Sequence, residues 1–131
     1  MEENIKQYIV DTSFVLSFLM PDEQSEEARM FFERYGRNEV ALISTSLLEY
    51  EVANALWTNV LRKRITADEG EGLLSTFKLL QIPTLSVEMQ DIFELSIKLD
   101  ISCYDAAYVA LAHEKNAKLL TYDTRLKKLV E

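Results

Sequence analysis

Four short apolar runs, each separated from the next by two stretches of helical character, limit what this chain can fold into. The runs are Gln7–Val10, Val40–Ile43, Thr84–Leu85 and Lys118–Thr121. The first is too short for periodicity alone to separate strand from helix. The segments between the runs carry helix signals, and no hairpin turn joins one run to the next. A helix is predicted from Thr12 to Met20, ended near Pro21. A second starts with Asp22 or Ser25 as cap and runs to about Tyr35, with Gly36 as stop signal. Ser44 or Thr45 is expected to cap a long helix from about Ser46 to Arg64. Thr66-Ala67-Asp68-Glu69 has the pattern of a capping box, opening a helix to Leu80. Ser86 opens a helix to about Leu99, and Ser102 another to about Lys115. Asp123 or Thr124 starts a last short helix. Strands alternating with helices in this way imply an α/β fold, with a short parallel central sheet and helices on both faces. Strands this short and apolar suit a sheet buried on both sides. Sites in such sheets form at the carboxyl ends of the strands.

The chain has 131 residues, enough for a single domain over 1–131 with one core. Only three glycines and two prolines are present, which argues against long loops or disordered linkers. No apolar run approaches the ~20 residues that span a bilayer. The start, Met1-Glu2-Glu3-Asn4, is acidic and unlike a secretory leader. Cys103 is the single cysteine, so an internal disulfide is impossible and a cytoplasmic setting is expected. The net charge of −8 argues against a broad nucleic-acid-binding face. The basic residues are clumped at Arg62-Lys63-Arg64 and at Arg125, Lys127 and Lys128, either as helix-terminal charge or as contacts to a polyanion.

Four acids fall where chemistry can use them. Asp11 closes the first apolar run, and Asp123 follows the last. Asp105 lies three residues after Ser102, at the third position of a weak capping box. Asp11 and Asp123 also suit helix caps. Glu51 has the least comfortable structural explanation. It shares a helix side with Leu47, Leu48 and Ala55, beside a core face marked by Leu48, Val52 and Ala55. A carboxylate there needs a partner. Asn54 extends the same polar strip, whereas Glu49 is peripheral. Brought together at ~5 Å, each pair of carboxylates would repel by about 3 kcal/mol at an effective dielectric near 20. A cation would relieve this. Oxygen-only ligands, without His or Cys, suit Mg²⁺ or Mn²⁺ rather than Zn²⁺.

Four segments carry a resemblance to a known family. They are Ile9-Val10-Asp11-Thr12-Ser13, Glu51-Val52-Ala53-Asn54-Ala55-Leu56, Tyr104-Asp105-Ala106-Ala107-Tyr108, and Leu120-Thr121-Tyr122-Asp123-Thr124-Arg125-Leu126. In this order the chain resembles a PIN domain, and within that group the VapC-type toxin ribonucleases of type II toxin–antitoxin pairs. The resemblance runs nearly end to end, though Arg62 to Leu99 carries no matching motif. It implies a three-layer α/β/α sandwich and a metal quartet of Asp11, Glu51, Asp105 and Asp123. It places supporting hydroxyls at Ser13 or Thr12 and at Thr121. It further implies one or two Mg²⁺ or Mn²⁺ ions, endonucleolytic cleavage of RNA, a homodimer, and an antitoxin that blocks the pocket, often with an arginine.

Competing classes fit less well. Aspartyl phosphoryl transfer commonly has a second acid two residues after the first, where this chain has Ser13. A receiver-type signalling domain needs an acid pair after the first strand and a lysine after the last, and neither is present. A non-catalytic RNA- or protein-binding module on the same scaffold is the main alternative. Cys103 and His113 are ten residues apart and about 80° out of alignment on one helix, which speaks against a thiol nucleophile. A buried Cys103 and a surface His113 are expected instead. Phe14, Phe18, Phe31, Phe32 and Trp57 are expected in the core or at a dimer contact, with base stacking as a lesser alternative.

Overall fold

The computed structural model describes residues 5–130. The acidic start Met1–Asn4 lies outside them. Strands β1 (Lys6–Val10), β2 (Val40–Thr45), β3 (Thr84–Leu85) and β4 (Lys118–Leu120) form one parallel sheet in the order β3-β2-β1-β4. The helices are α1 (Thr12–Leu19), α2 (Glu26–Gly36), α3 (Leu48–Leu61), α4 (Ala67–Leu80), α5 (Met89–Leu99), α6 (Cys103–Lys115) and α7 (Thr124–Val130). The element order is the predicted one.

Alternation along the strands builds the layers. Tyr8 and Val10 of β1, Val40 and Leu42 of β2, and Leu120 of β4 pack with Phe14, Phe32, Leu48 and Val52 on one face. Ile9, Ile43 and Leu119 point the other way, against Val109, Leu111 and Leu126. The fold is thus a three-layer α/β/α sandwich. Ile9 and Val10 are fully shielded from water, and burial of each contributes roughly 1.5–3 kcal/mol. Helix α6 is buried continuously from Ala106 to Ala112, and its four alanines allow close approach to the sheet. Helix α5 lies outside α6 and buries no residue completely.

The site follows from the strand order. From β1 the chain crosses to β2 and β3 on one side, and β4 later fills the other side. The direction of winding therefore reverses at β1. In parallel sheets such a reversal opens a crevice at the carboxyl ends of the strands. Tyr8 pairs with Lys118 and Val10 with Leu120, and Asp11 N–H donates to the Leu120 carbonyl at 3.3 Å. Register thus sets the residues after β1 beside those after β4.

Some helix starts differ from expectation, for local reasons. Helix α3 begins at Leu48 rather than Ser46, because Ser44 and Thr45 belong to β2. Ser44 Oγ donates to the Val10 carbonyl at 2.6 Å, and Thr45 Oγ1 accepts from Leu47 N–H at 3.2 Å. Neither hydroxyl remains to cap a helix at Ser46. Helix α5 begins at Met89, not Ser86; Glu88 before it is non-helical and offers no side-chain cap. Ser25, not Asp22, caps α2, while Asp22 pairs with Arg64. The capping box of Thr66 and Glu69 forms as predicted.

One side chain departs from expectation, and Trp57 falls outside the core but not outside the dimer-contact expectation. Cys103 is exposed rather than buried, because the first turn of α6 precedes the part that enters the core. Trp57 projects into solvent at 58% exposure, whereas Phe14 and Phe32 are buried. Phe18 stacks on Phe32 with ring centroids 4.4 Å apart. Among the described residues, no helix is long and apolar enough to cross a membrane.

Candidate active site

Asp11 leaves β1 in an extended conformation and becomes the N-cap of α1, with Oδ1 accepting from Phe14 N–H at 3.0 Å. Capping consumes only part of the carboxylate. Ser13 Oγ donates to the same oxygen at 2.7 Å, and Thr121 Oγ1 donates to Oδ2. Asp11 is 5% exposed. Burial raises its pKa above the usual carboxylate value, against the lowering effect of the Thr121, Ser13 and Phe14 donors, and the nearby Asp123 charge raises it further.

The two hydroxyls around Asp11 also stitch one turn to the other. Ser13 Oγ accepts from Tyr122 N–H at 2.9 Å, and Thr121 Oγ1 accepts from Asp123 N–H at 3.0 Å. They lie 3.3 Å apart. Thr121 is buried behind Asp11 and does not line the cavity, whereas Ser13 does. Both are placed to orient Asp11.

Glu51 stands half-buried at the start of α3 and receives the partners that its position demands. Thr12 Oγ1 donates to Oε1 at 2.7 Å, and Tyr108 Oη donates to the same oxygen at 2.6 Å. The two hydroxyls are 3.3 Å apart. Burial, and then the Glu51 hydrogen bond, push the Tyr108 pKa well up, so the phenol keeps its proton. Tyr108 was not anticipated as a site residue. Its signal was its spacing: it stands three residues after Asp105 on α6, so both lie on one helix side. Glu49 is exposed and lies outside the cavity, as its helical position predicts. On the core face, Leu56 is the buried residue where Ala55 was expected.

Asp123 and Asp105 are held differently. Asp123 Oδ1 caps α7, accepting from Arg125 N–H at 2.9 Å and Leu126 N–H at 3.0 Å. The Ser102 hydroxyl accepts from Asp105 N–H at 3.1 Å, but the Asp105 carboxylate makes no reciprocal capping bond. It takes Arg125 Nη2 at 3.2 Å instead. Arg125 is 63% exposed, so this pair adds little to stability.

All four acids line one open cavity of about 750 Å³, with Thr12, Ser13, Asn54, Tyr50, Tyr104 and Tyr108 among its walls. No Lys, Arg or His lines it. Among the described residues, no three acids already stand close enough to share an ion. Their hydrogen bonds explain the spread, since each carboxylate is turned toward donors of its own. Even so, Glu51 Oε2, Asp105 Oδ1 and Asp123 Oδ2 take no protein donor among the described residues. Free anionic oxygens around a cation-free cavity, with no nitrogen or sulfur ligand, fit a hard divalent ion. Cys103 and His113 line two other pockets, so no thiol–imidazole pair forms.

The PIN domain model matches residues 8–131, and the chain belongs to the PIN-domain family, within it to the VapC type. It is 37% identical over 122 residues to Ribonuclease VapC3 of Pyrobaculum aerophilum, covering 90% of each chain. It is 33% identical over 120 residues to Ribonuclease VapC9 of Mycobacterium tuberculosis, covering 90% of this chain and 87% of that one. A more distant relative, Exonuclease VapC9 of Pyrobaculum aerophilum, is 25% identical over 99 residues, 72% of this chain and 71% of that one. The crystal structure of PAE2754 from Pyrobaculum aerophilum superimposes with a TM-score of 0.74 at 20% identity, covering 92% of this chain and 77% of that one. At that identity the likeness speaks to the fold.

Proposed function

We propose that this chain, acting as a single PIN-like domain, is an endoribonuclease that hydrolyses RNA phosphodiesters with one or two Mg²⁺ or Mn²⁺ ions. The observation that carries the reading is the meeting of Asp11, Glu51, Asp105 and Asp123 in one cavity at the reversal point of the sheet. The ribonuclease names of the relatives at 37% and 33% identity support it. Asp11, Glu51, Asp105 and Asp123 would hold the ions. When bound, such an ion lowers the pKa of a water and offsets charge building on the phosphoryl oxygens. The protein's own part is positional. Ser13 and Thr121 fix Asp11, while Thr12 and Tyr108 fix Glu51 with Oε2 left free to ligate or to orient the attacking water. Asn54 adds a neutral donor and acceptor to the same wall.

The wider setting belongs to the same proposal. The resemblance to VapC-type toxins extends the proposal to a toxin role, with a small antitoxin that blocks the cavity, often with an arginine. A cavity lined by acids and no base is a fitting receptor for such a side chain. A homodimer and a cytoplasmic location complete the reading.

The deciding experiment is cleavage of a linear and a covalently closed circular RNA, with Mg²⁺ or Mn²⁺ and with chelator. Metal-dependent opening of the circle is expected, and cleavage of the linear RNA alone would turn the assignment to an exonuclease. Asp11→Asn should lower the rate on the order of 100-fold or more. A wild-type rate in that variant removes the assignment. Among the described residues no three acids stand ready to share an ion, and this is the one observation favouring a non-catalytic binding module. Calorimetry with Mn²⁺ separates the two, since a catalytic site takes up the ion and the module does not.

A further inference from the structure

Tyr50 and Tyr104 each stand one residue before an acid of the site, Glu51 and Asp105. One residue turns a helix by about 100°. When the acid faces the floor of the cavity, the preceding ring is therefore carried to its edge. Both tyrosines line the cavity, yet they are 80% and 63% exposed. The other tyrosines of the chain are placed otherwise. Tyr8 and Tyr108 are buried, and the hydroxyls of Tyr35 and Tyr122 are bonded to backbone carbonyls or to Ser25 and Glu27. Tyr50 and Tyr104 alone offer open ring surface at the site.

The charge of the site gives that surface a purpose. Proteins usually hold a nucleic-acid backbone with Lys and Arg. This chain has a net charge of −8, and its cavity wall contains no basic residue. Arg125, just outside, is engaged by Asp105. Bound ions can hold the reacting phosphate but offer nothing to the neighbouring nucleotides. A contact that works without charge is needed there, and a base on an aromatic ring is such a contact. Stacking tolerates any base but requires that its face be free, which an unpaired base provides and a duplex does not.

We propose that Tyr50 and Tyr104 are the base-stacking platform of the site, taking unpaired bases of single-stranded RNA on either flank of the phosphate to be cut. This rests on the nuclease reading above and adds to it the side chains that would hold the bases beside the cut. It also names two binding residues outside the acidic quartet and the hydroxyls that support it.

The test uses an unstructured RNA carrying 2-aminopurine beside its cleavage point. Fluorescence is read in Ca²⁺ under conditions that give no cleavage, and steady-state kinetics are read in Mn²⁺. Stacking quenches the probe when wild-type protein binds. Tyr50→Ala and Tyr104→Ala should each lose quench and raise KM about 10-fold or more, with kcat changed far less. Tyr→Phe at either position, which keeps the ring, should restore quench and KM, and Tyr→Leu, which keeps bulk without a π face, should not. Quench and KM at wild-type level in the Ala variants, with Asp11→Asn inactive, overturn the platform and leave the nuclease standing. Asp11→Asn cutting as fast as wild type overturns the nuclease reading and the platform with it. Equal cleavage of duplex and single-stranded RNA also overturns the platform. So does a fall in sedimentation mass in the Ala variants, which would place the rings against a second copy of the chain.

Discussion

The two walls of the cavity each carry two acids and hold them in opposite ways. On the inner wall, neutral hydroxyls orient both acids, those of Ser13 and Thr121 at Asp11 beside the Phe14 N–H, and those of Thr12 and Tyr108 at Glu51. On the outer wall, Asp123 is held by two backbone N–H groups and Asp105 by the Arg125 guanidinium. A hydroxyl fixes a carboxylate without cancelling its charge, so the inner wall stays anionic and rigid. A guanidinium offsets charge and is mobile at the surface, so on the outer wall Arg125 competes with an ion for Asp105, whose Oδ1 it leaves free. One wall is pre-organised and the other is adjustable.

The sharpest way to break this contrast is to remove an inner-wall charge. Glu51→Gln keeps shape and removes the anion. Cleavage of an unstructured RNA should fall on the order of 100-fold, by the scale of removing one electrostatic group from such a site. Glu49→Gln, two residues away and outside the cavity, should leave the rate unchanged. Equal losses in the two variants would deny Glu51 its special place.

The two walls should next respond with opposite sign to loss of their supporting groups. Tyr108→Phe deletes one of two donors to Glu51 Oε1. A hydrogen bond to a charged group contributes about 1.5–3 kcal/mol, so stability should drop by about that much, and Mn²⁺ affinity by calorimetry should fall roughly 10-fold. Arg125→Gln on the outer wall removes a competitor for Asp105. Mn²⁺ affinity should rise by a few-fold, and stability should change by less than about 1 kcal/mol, as expected for an exposed pair. Weaker Mn²⁺ binding in both variants would mean that Arg125 supports the ion site.

What was legible in advance follows the same division. The strands and helices were readable because apolar runs, caps and stop signals are local, as Ser25, Ser102 and the Thr66 box show. Of the four acids, Glu51 stood out by its awkward helix edge, while Asp11, Asp105 and Asp123 had capping explanations and were joined to it by the motif resemblance. Their supports were legible only in part: the resemblance pointed to Ser13 or Thr12 and to Thr121, but not to Tyr108 or to the acid that each hydroxyl meets. Thr12 meets Glu51 across 39 residues, Tyr108 meets it across 57, and Thr121 meets Asp11 across 110. Hydroxyls leave no periodic trace, and such pairings exist only once β1 and β4 are in register. Cys103 was misjudged because residue type says little about a helix's first turn. The Arg125–Asp105 pair was hidden because a basic clump at a terminal helix has an ordinary explanation in the helix dipole.

The smallest expected effect concerns the buried charge of Asp11 in the metal-free protein. Burial raises its pKa in the fold, so the folded chain binds this proton more tightly than the unfolded chain does. Stability from this group is then fully present below the unfolded carboxylate pKa and is lost as pH rises through the raised folded value. At neutral pH an ionised Asp11 costs stability, and Asp11→Asn should remove that cost. In chelator, the thermal midpoint of the variant should exceed that of wild type at neutral pH, by an amount on the order of a few degrees. The gap should close as pH falls below the usual carboxylate range. The surface acids Asp22, Glu26 and Glu39, whose pKa values are lowered first of all by hydrogen bonds from Arg64, Arg29 and Arg37, titrate alike in both proteins and cancel in the difference. Adding Mn²⁺ should then reverse the order, because a cation that binds the folded state raises the wild-type midpoint by mass action and finds one anion fewer in the variant. If Mn²⁺ raises both midpoints equally, Asp11 contributes nothing to holding the ion, and the inner wall is a structural cap alone.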